Sequence, residues 1–431
     1  MRTSVLNFLL LITSACHSAP ASSADATTSP DAEASPDAAP ETPRIVLGVY
    51  SDSFQDLDAT VLAATGRHFA IENQRELWTS MFDHPDEAYD QANGVIPMLS
   101  WVVTLQGSGC AKYEDIMAGV YDAQLTAQAH TLAMWNKPVA IRFFKEFTDT
   151  AIDDCFFPGG HVAARRETTG PMFVNTWQHV VDVFKAAGAS NVQWVWGPAA
   201  SLFGNDGVDQ TTWHYFYPGN NYVDWISNDH YNKYDDMAFA YGANDHSIEN
   251  WYNEASQTGK PLMQAETGAG YHDGPVDPMA QWLATAATTV KARPAMKAFL
   301  WWSSQGQVDY NLQGDGLTIF ESMMKDPVFT ATDVTPYATS TGAAGGPAAP
   351  QPHGVASTGS ITLHWQAPAD AHGSVTGYTV YRDGVWIGAT TDPKYVDSDV
   401  TANTTYRYTV DALDDAWNRS VRSAEVAIVA M

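Results

Sequence analysis

Basic residues are scarce in this chain. Lys and Arg number 22 against 49 Asp and Glu, a formal net charge of −27 over 431 residues. That balance excludes a nucleic-acid partner, because phosphate binding needs basic patches and none is visible. The apolar run Val5 to Ile12 is too short to span a bilayer as a mature helix. No glycine-rich phosphate loop follows the first strand candidate. The histidines show no HExxH or related metal spacing, and no G-x-S-x-G nucleophile elbow occurs. Neither a cofactor nor a metal is expected.

Apolar and aromatic residues, by contrast, are plentiful. Hydrophobic residues make up 45% of the chain, ample for a core, and the length predicts one large domain plus a smaller one. The 15 Trp either fill that core or, for several of them, line a sugar-binding groove, since flat apolar rings stack on pyranose faces.

Residues 1–16 read as an export signal: Arg2, an apolar core, then Ser14 and Ala15 before Cys16. TSAC resembles a bacterial lipoprotein signal, with Thr13 where Leu is usual; Cys16 is then a lipidation candidate, the alternative being an ordinary signal peptide cut nearby. Residues 17–43 lack aromatics and Leu, Ile, Val and Met, so they are expected to form a disordered tether. From 44 to 332 about eight apolar strand candidates alternate with helical patterns or loops. One helix is marked by Phe173, Trp177, Val180, Val181 and Phe184 at helical spacing. This predicts a (β/α)8 TIM barrel, with a doubly wound open sheet as the alternative. Residues 333–356, with TGAAGGPAAPQP, read as a linker. In 357–431 the alternation of Ile361, Leu363 and Trp365, and of Tyr406, Tyr408 and Val410, predicts a small all-β, immunoglobulin-like sandwich.

The chemistry gathers on two apolar strands, each led by Lys-Pro. KPVAIRFFKEFTD ends in Lys145 and Glu146; KPLMQAETGAG carries Glu266 at its tip. On a barrel these are strands four and seven, which lie across the mouth from one another with both tips at the C-terminal rim. Glycosidic hydrolysis needs such a pair: an acid for the departing oxygen and a second carboxylate to attack the anomeric carbon or activate water. Glu146 is the candidate acid/base and Glu266 the candidate nucleophile; the bland alternative makes each a rim salt bridge. Arg142, four residues before Glu146, shares its face by alternation and either orients a carboxylate or serves a structural ion pair. Asp229 and His230 either touch substrate or form a rim network. Trp101 and Trp196, closing strands three and five, are sugar platforms or core. Cys110 and Cys155 fall in neighbouring loops of an exported protein, a disulfide candidate beside the alternative of two free thiols.

PVAIRFFKEFTD, NTWQHVVDVFKAAGASNVQWVWGPA, FYPGNNYVDWISNDHYN and KPLMQAETG together resemble glycoside hydrolase family 26, best known for β-mannanases, over most of residues 44–330. The resemblance implies a retaining TIM-barrel glycosidase with acid/base Glu146 and nucleophile Glu266. It further implies that Tyr231 hydrogen-bonds the nucleophile and that Trp301 or Trp302 forms the platform beneath the sugar at the cleavage site. One departure stands out: Lys145 occupies the place where the family has His, so its role at the substrate is open. Strand alternation sends Lys145 away from Glu146 unless a bulge turns both into the mouth. The tail SITLHWQAPAD, GYTVYRDG and TTYRYTVDALDDAWNRS resembles a fibronectin type III domain, with Tyr406 at its tyrosine corner.

The expected protein is an exported, monomeric glycoside hydrolase, lipid-anchored in the envelope or secreted, cleaving β-1,4 linkages in a polysaccharide, mannan first. The alternatives are a β-glucanase or xylanase on the same barrel, or an inactive carbohydrate-binding lipoprotein.

Overall fold

The computed structural model describes residues 44–82, 86–102, 105, 109–147, 162–203, 210–232, 239, 248–270, 277–306, 308–334, 346–370 and 373–431, with the side chains of 162–168, 200–201 and 210–211 excepted. The signal-like stretch with Cys16, the tether 17–43 and Cys155 lie outside the described residues.

Eight parallel strands close a barrel in sequence order: β1 (Val46–Ser51), β2 (Ile71–Leu77), β3 (Ile96–Val102), β4 (Val139–Phe143), β5 (Val192–Trp196), β6 (Trp225–Asn232), β7 (Leu262–Ala269) and β8 (Met296–Ser303). Six of them fall largely on the predicted apolar runs, whereas β2 and β6 share only two residues each with the expected runs 68–72 and 222–226 and extend beyond them into polar sequence. The runs are apolar on both sides because alternate residues serve two cores. Val46, Ile71, Met98, Ala140 and Leu300 fill the barrel, while Leu47, Leu99, Ile141 and Phe299 pack under the outer helices.

The helices are α1 (Phe54–Thr65), α2 (Glu87–Asn93), α3 (Tyr113–Met117), α4 (Asp122–Trp135), α5 (Val162–Ala186), α6 (Ile248–Ala255), α7 (Pro278–Lys291) and α8 (Gly314–Lys325). Local chemistry starts α7: the Asp277 carboxylate accepts from Met279 N at 3.0 Å and Pro278 occupies the first turn. The apolar stripe Phe173 to Phe184 of α5 is buried, as its spacing predicts. Between β5 and β6 the described residues form three short 3-10 turns, Ala200–Phe203, Gln210–Tyr215 and Asn220–Tyr222, in place of an α-helix.

The C-terminal residues form two antiparallel sheets. One holds β9 (His353–Ser357), β10 (Ser360–His364) and β13 (Lys394–Asp397); the other holds β11 (Val375–Arg382), β12 (Val385–Thr390), β14 (Thr405–Asp414) and β15 (Val426–Val429). Ile361, Leu363, Trp365, Tyr378, Val380, Tyr408 and Val410 form the core between them. Tyr406 Oη accepts a hydrogen bond from Thr401 N at 3.0 Å, tying the corner before β14. This sandwich is docked on the barrel flank that carries the 3-10 turns. Asn220 N donates to Trp417 O at 2.7 Å, and the Trp213 and Trp417 rings lie 5.2 Å apart. Among the described residues no helix is long and apolar enough to cross a membrane.

Candidate active site

Strand alternation alone would not build this site. Along β4, Ala140 and Arg142 face inward while Ile141 and Phe143 face the outer core. Phe144 then takes a left-handed conformation (φ 51°) and joins Phe143 outside, their rings stacked at 3.8 Å. Lys145 therefore turns inward. Glu146 is left-handed as well (φ 53°) and stays in the mouth beside it. Such backbone costs roughly 1–3 kcal/mol per residue and persists only where neighbours enforce it. Here Lys145 N donates to Trp101 O at 3.2 Å and Glu146 N to Gly197 O at 2.9 Å, pinning the turn to β3 and to the end of β5.

A second irregularity places the opposite carboxylate. The β6–β7 register slips between Asn228 and Asp229, so that Asp229 pairs with Glu266 and Ala265 is extra. Ala265 packs in the barrel interior and the next residue, Glu266, also points into the mouth, as a β-bulge allows.

Glu146, Asp229 and Glu266 each offer an oxygen, all within 4.8 Å of one another. Two cations stitch them together. Arg142 is fully buried; Nη1 donates to Glu266 Oε1 at 2.8 Å and Nη2 to Asp229 Oδ2 at 2.7 Å. Gly197 leaves room for this guanidinium, since a Cβ there would lie 2.9 Å from Arg142 Nε. Lys145 Nζ donates to Glu266 Oε1 at 2.7 Å and lies 3.4 Å from Glu146 Oε2. Tyr231 Oη donates to Glu266 Oε2 at 2.9 Å. The three carboxylates have metal-ligand spacing, but Glu266 Oε1 already accepts from Arg142 and Lys145 and Asp229 Oδ2 from Arg142, and those cations would repel an ion.

The environments of the carboxyls differ. Burial pushes Glu266 up, yet Lys145, Arg142 and Tyr231 outweigh it and hold the carboxyl down at about 2. Asp229 is raised well above its ordinary value by burial, which Arg142 only partly offsets. Burial likewise opposes the Lys145 charge, and Glu266, Glu146 and Asp229 overcome it, so the ammonium keeps its proton more firmly than usual. Tyr231 is raised well above its ordinary value by burial and by Glu266, and remains a phenol that donates. The Glu146 side chain is 23% exposed, against 2% for Glu266, so Glu146 is the carboxyl open to an incoming molecule.

The aromatic candidates divide. Trp302 is inward, partly exposed and stacked on Tyr50, with Lys145 Nζ 5.2 Å from its ring centroid. Trp301 faces outward, fully buried, its Nε1 donating to Tyr310 O at 2.9 Å. Trp101 packs on Phe143 and Phe184, and Trp196 on Tyr217 and Phe203, both fully buried in the outer core. The expectation of platforms at Trp101, Trp196 and Trp301 is therefore corrected: each sits at an outward position of its strand, under helices or loops. His230 is outward too, stacked on Trp282. Cys110 is disulfide-bonded. Sequence reasoning missed Tyr50, Asn73 and Ser100. Tyr50 ends a predicted strand, which was the available signal; Asn73 and Ser100, linked at 2.7 Å beneath the mouth, carry no distinguishing pattern.

No protein-family model matches the chain. In sequence it is similar to Endoglucanase H of Acetivibrio thermocellus, 26% identical over 269 residues, 60% of this chain and 27% of that protein. It is also similar to Exoglucanase B of Cellulomonas fimi, 41% identical over 102 residues, 23% of this chain and 9% of that protein. The chain thus matches well under a third of the length of either relative. In structure it is similar to a modular endo-β-1,4-mannanase from Cellulomonas fimi, one of the glycoside hydrolase family 26 mannanases. That likeness has a TM-score of 0.52 at 17% identity and covers 90% of this chain and 94% of that one. A double mutant of a Cellulomonas fimi endo-β-1,4-mannanase gives 0.52 at 18% identity, over 88% and 94%. The closed eight-stranded parallel barrel followed by antiparallel sheets is thus a fold this chain shares with solved endo-β-1,4-mannanases.

Proposed function

We propose that this chain is a retaining glycoside hydrolase that cleaves β-1,4 linkages in a polysaccharide by double displacement. The supporting observation is the Glu146–Glu266 pair, opposed in one mouth with oxygens within 4.8 Å. Retaining enzymes hold their carboxyls about 5–5.5 Å apart, inverting ones about 6.5–9.5 Å to admit a water. Glu266, held ionised by three donors, is the nucleophile. Glu146, open to substrate, gives its proton to the glycosidic oxygen as Glu266 attacks the anomeric carbon and the carbon–oxygen bond breaks. Glu146, now a carboxylate, takes a proton from water as that water's oxygen attacks the same carbon and releases Glu266. Tyr231 orients Glu266, and Trp302 supplies the flat face beneath the sugar.

Mannan is the first substrate on this reading. A β-glucan is the second, favoured by the sequence relative named an endoglucanase and by Lys145 in the mouth. Residues 1–16 would direct export, with Cys16 the lipid-bearing residue. The C-terminal sandwich reads as a fibronectin type III module. The Tyr406–Thr401 bond supports this.

The test is to incubate the full chain with mannan, glucomannan, xylan and mixed-linkage glucan and record the anomer released first. A β-anomer that later mutarotates is expected. Glu146→Gln and Glu266→Gln should each abolish nearly all turnover while retaining polysaccharide binding. First release of the α-anomer, or binding with no turnover by the unmodified chain, overturns the reading.

A further inference from the structure

Lys145 holds a position that the double displacement does not by itself require. Its ammonium is almost fully enclosed and lies between the two carboxylates, hydrogen-bonded to Glu266 Oε1 at 2.7 Å and 3.4 Å from Glu146 Oε2. The left-handed Phe144 turns it inward, and the left-handed Glu146 keeps the acid beside it. The charges on its two neighbours change in opposite directions during the proposed reaction. Before attack, Glu266 is a carboxylate and Glu146 carries a proton. In the covalent intermediate Glu266 is a neutral ester and Glu146 is a carboxylate. Hydrolysis restores the first arrangement. At every stage one negative charge lies within reach of one ammonium.

We propose that Lys145 is a positioning residue that passes its ion pair from Glu266 to Glu146 and back over the catalytic cycle; this rests on the function proposed above. The proton bookkeeping closes without Lys145 losing its own: the leaving oxygen takes the Glu146 proton, and water later replaces it. The unequal distances give the hand-off a direction. The closer, hydrogen-bonded contact is to Glu266, so Lys145 favours the state in which Glu266 carries the charge. It opposes attack by Glu266 and assists its departure from the anomeric carbon. A residue that only shaped the mouth would not separate the two half-reactions.

The test uses the full chain with 2,4-dinitrophenyl β-cellobioside and β-mannobioside, whose leaving group needs no acid. Lys145→Met should spare or speed the first release of dinitrophenolate. It should slow steady-state turnover about tenfold to a hundredfold, the range set by losing one charge-assisted hydrogen bond. The signature is a burst of one dinitrophenolate per chain, with kcat and KM falling together. Lys145→Arg should restore much of the turnover. Lys145→Gln, a second neutral variant, should behave as Lys145→Met, and thermal melting of each checks that it folds. Unchanged kcat in the folded neutral variants, or a raised KM without a burst, overturns the hand-off alone. No release from either glycoside by the unmodified chain overturns the proposed function, and the hand-off with it.

Discussion

Tyr50 and Trp302 lie face to face, ring centroids 3.7 Å apart and planes within 6°. They come from β1 and β8, paired in register at those very positions, so the stack is fixed by the closure of the barrel. Trp302 is thereby held flat without leaning on the ligand. Trp302→Ala should raise KM for polysaccharide about tenfold, the worth of one stacking contact, and leave melting nearly unchanged. Trp301→Ala should do the reverse. That ring is fully buried, and its loss should cost about 3–5 kcal/mol of stability, read by urea unfolding. Similar effects from the two variants would show that the division between inward and outward ring is wrong.

The barrel was legible because most strands announce themselves as an apolar run and several also through the helical stripe that covers them; Val192 to Trp196 beneath Phe173 to Phe184 is one such pairing. The carboxylates were legible because they end such runs. The neighbours of those carboxylates were less so. Alternation correctly sends Arg142 inward, but it fails at Lys145, where two left-handed residues reset the phase, and at Glu266, where Ala265 is extra. A side chain's facing depends on backbone turns enforced by β3 and β5, which no local pattern encodes. The tryptophans failed for a related reason: Trp301 and Trp302 are adjacent and chemically identical, and only the strand phase separates platform from core.

The low value of Glu266 gives a pH dependence with a definite sign. Its ordinary value is 4.5 and the fold holds it at about 2, burial being outweighed by Lys145, Arg142 and Tyr231. The stability it contributes is therefore present above pH 4.5 and is lost as pH falls toward 2. The melting temperature of the unmodified chain should exceed that of Glu266→Gln at pH 7, and the gap should narrow between pH 4.5 and 2. In Lys145→Met the window should move upward, since a principal donor is gone. A gap that stays constant down to pH 2 would mean that Glu266 is not held ionised by this cluster.

A second acid pair behaves oppositely. Glu72 and Asp90 are buried between β2 and α2, sharing Gln74 Nε2, at 2.7 Å and 3.4 Å respectively. Burial raises both carboxyls, and Asp90 adds to the effect on Glu72. Folded values above the unfolded ones mean that stability is full at low pH and declines as pH rises through them. Glu72→Gln should leave melting near pH 4 little changed and raise it progressively toward pH 9. A variant equally altered at both ends of that range would show that burial does not hold these carboxyls above their ordinary values.

Arg419 joins the sandwich to the barrel through its backbone as well as its side chain. Asn221 Nδ2 donates to Arg419 O at 3.0 Å and Arg419 N donates to Asn221 Oδ1 at 3.2 Å, a side-chain imitation of a strand pair. The guanidinium then spans both parts: Nε donates to Tyr217 O at 3.2 Å and Nη1 to Asp411 Oδ1 at 2.9 Å. Gly219 is required beside it, since its φ is 106° and a Cβ would meet Arg419 N at 2.8 Å. Arg419→Ala keeps the backbone bonds but leaves buried acceptors without their donor, at a cost of about 1–3 kcal/mol. If this seam couples the two parts, the unmodified chain melts in one calorimetric transition, and Arg419→Ala lowers it or splits it in two. Gly219→Ala, which obstructs the backbone bonds themselves, should do so more strongly. Two separate transitions already present in the unmodified chain would make the sandwich a tethered module, and the seam energetically silent.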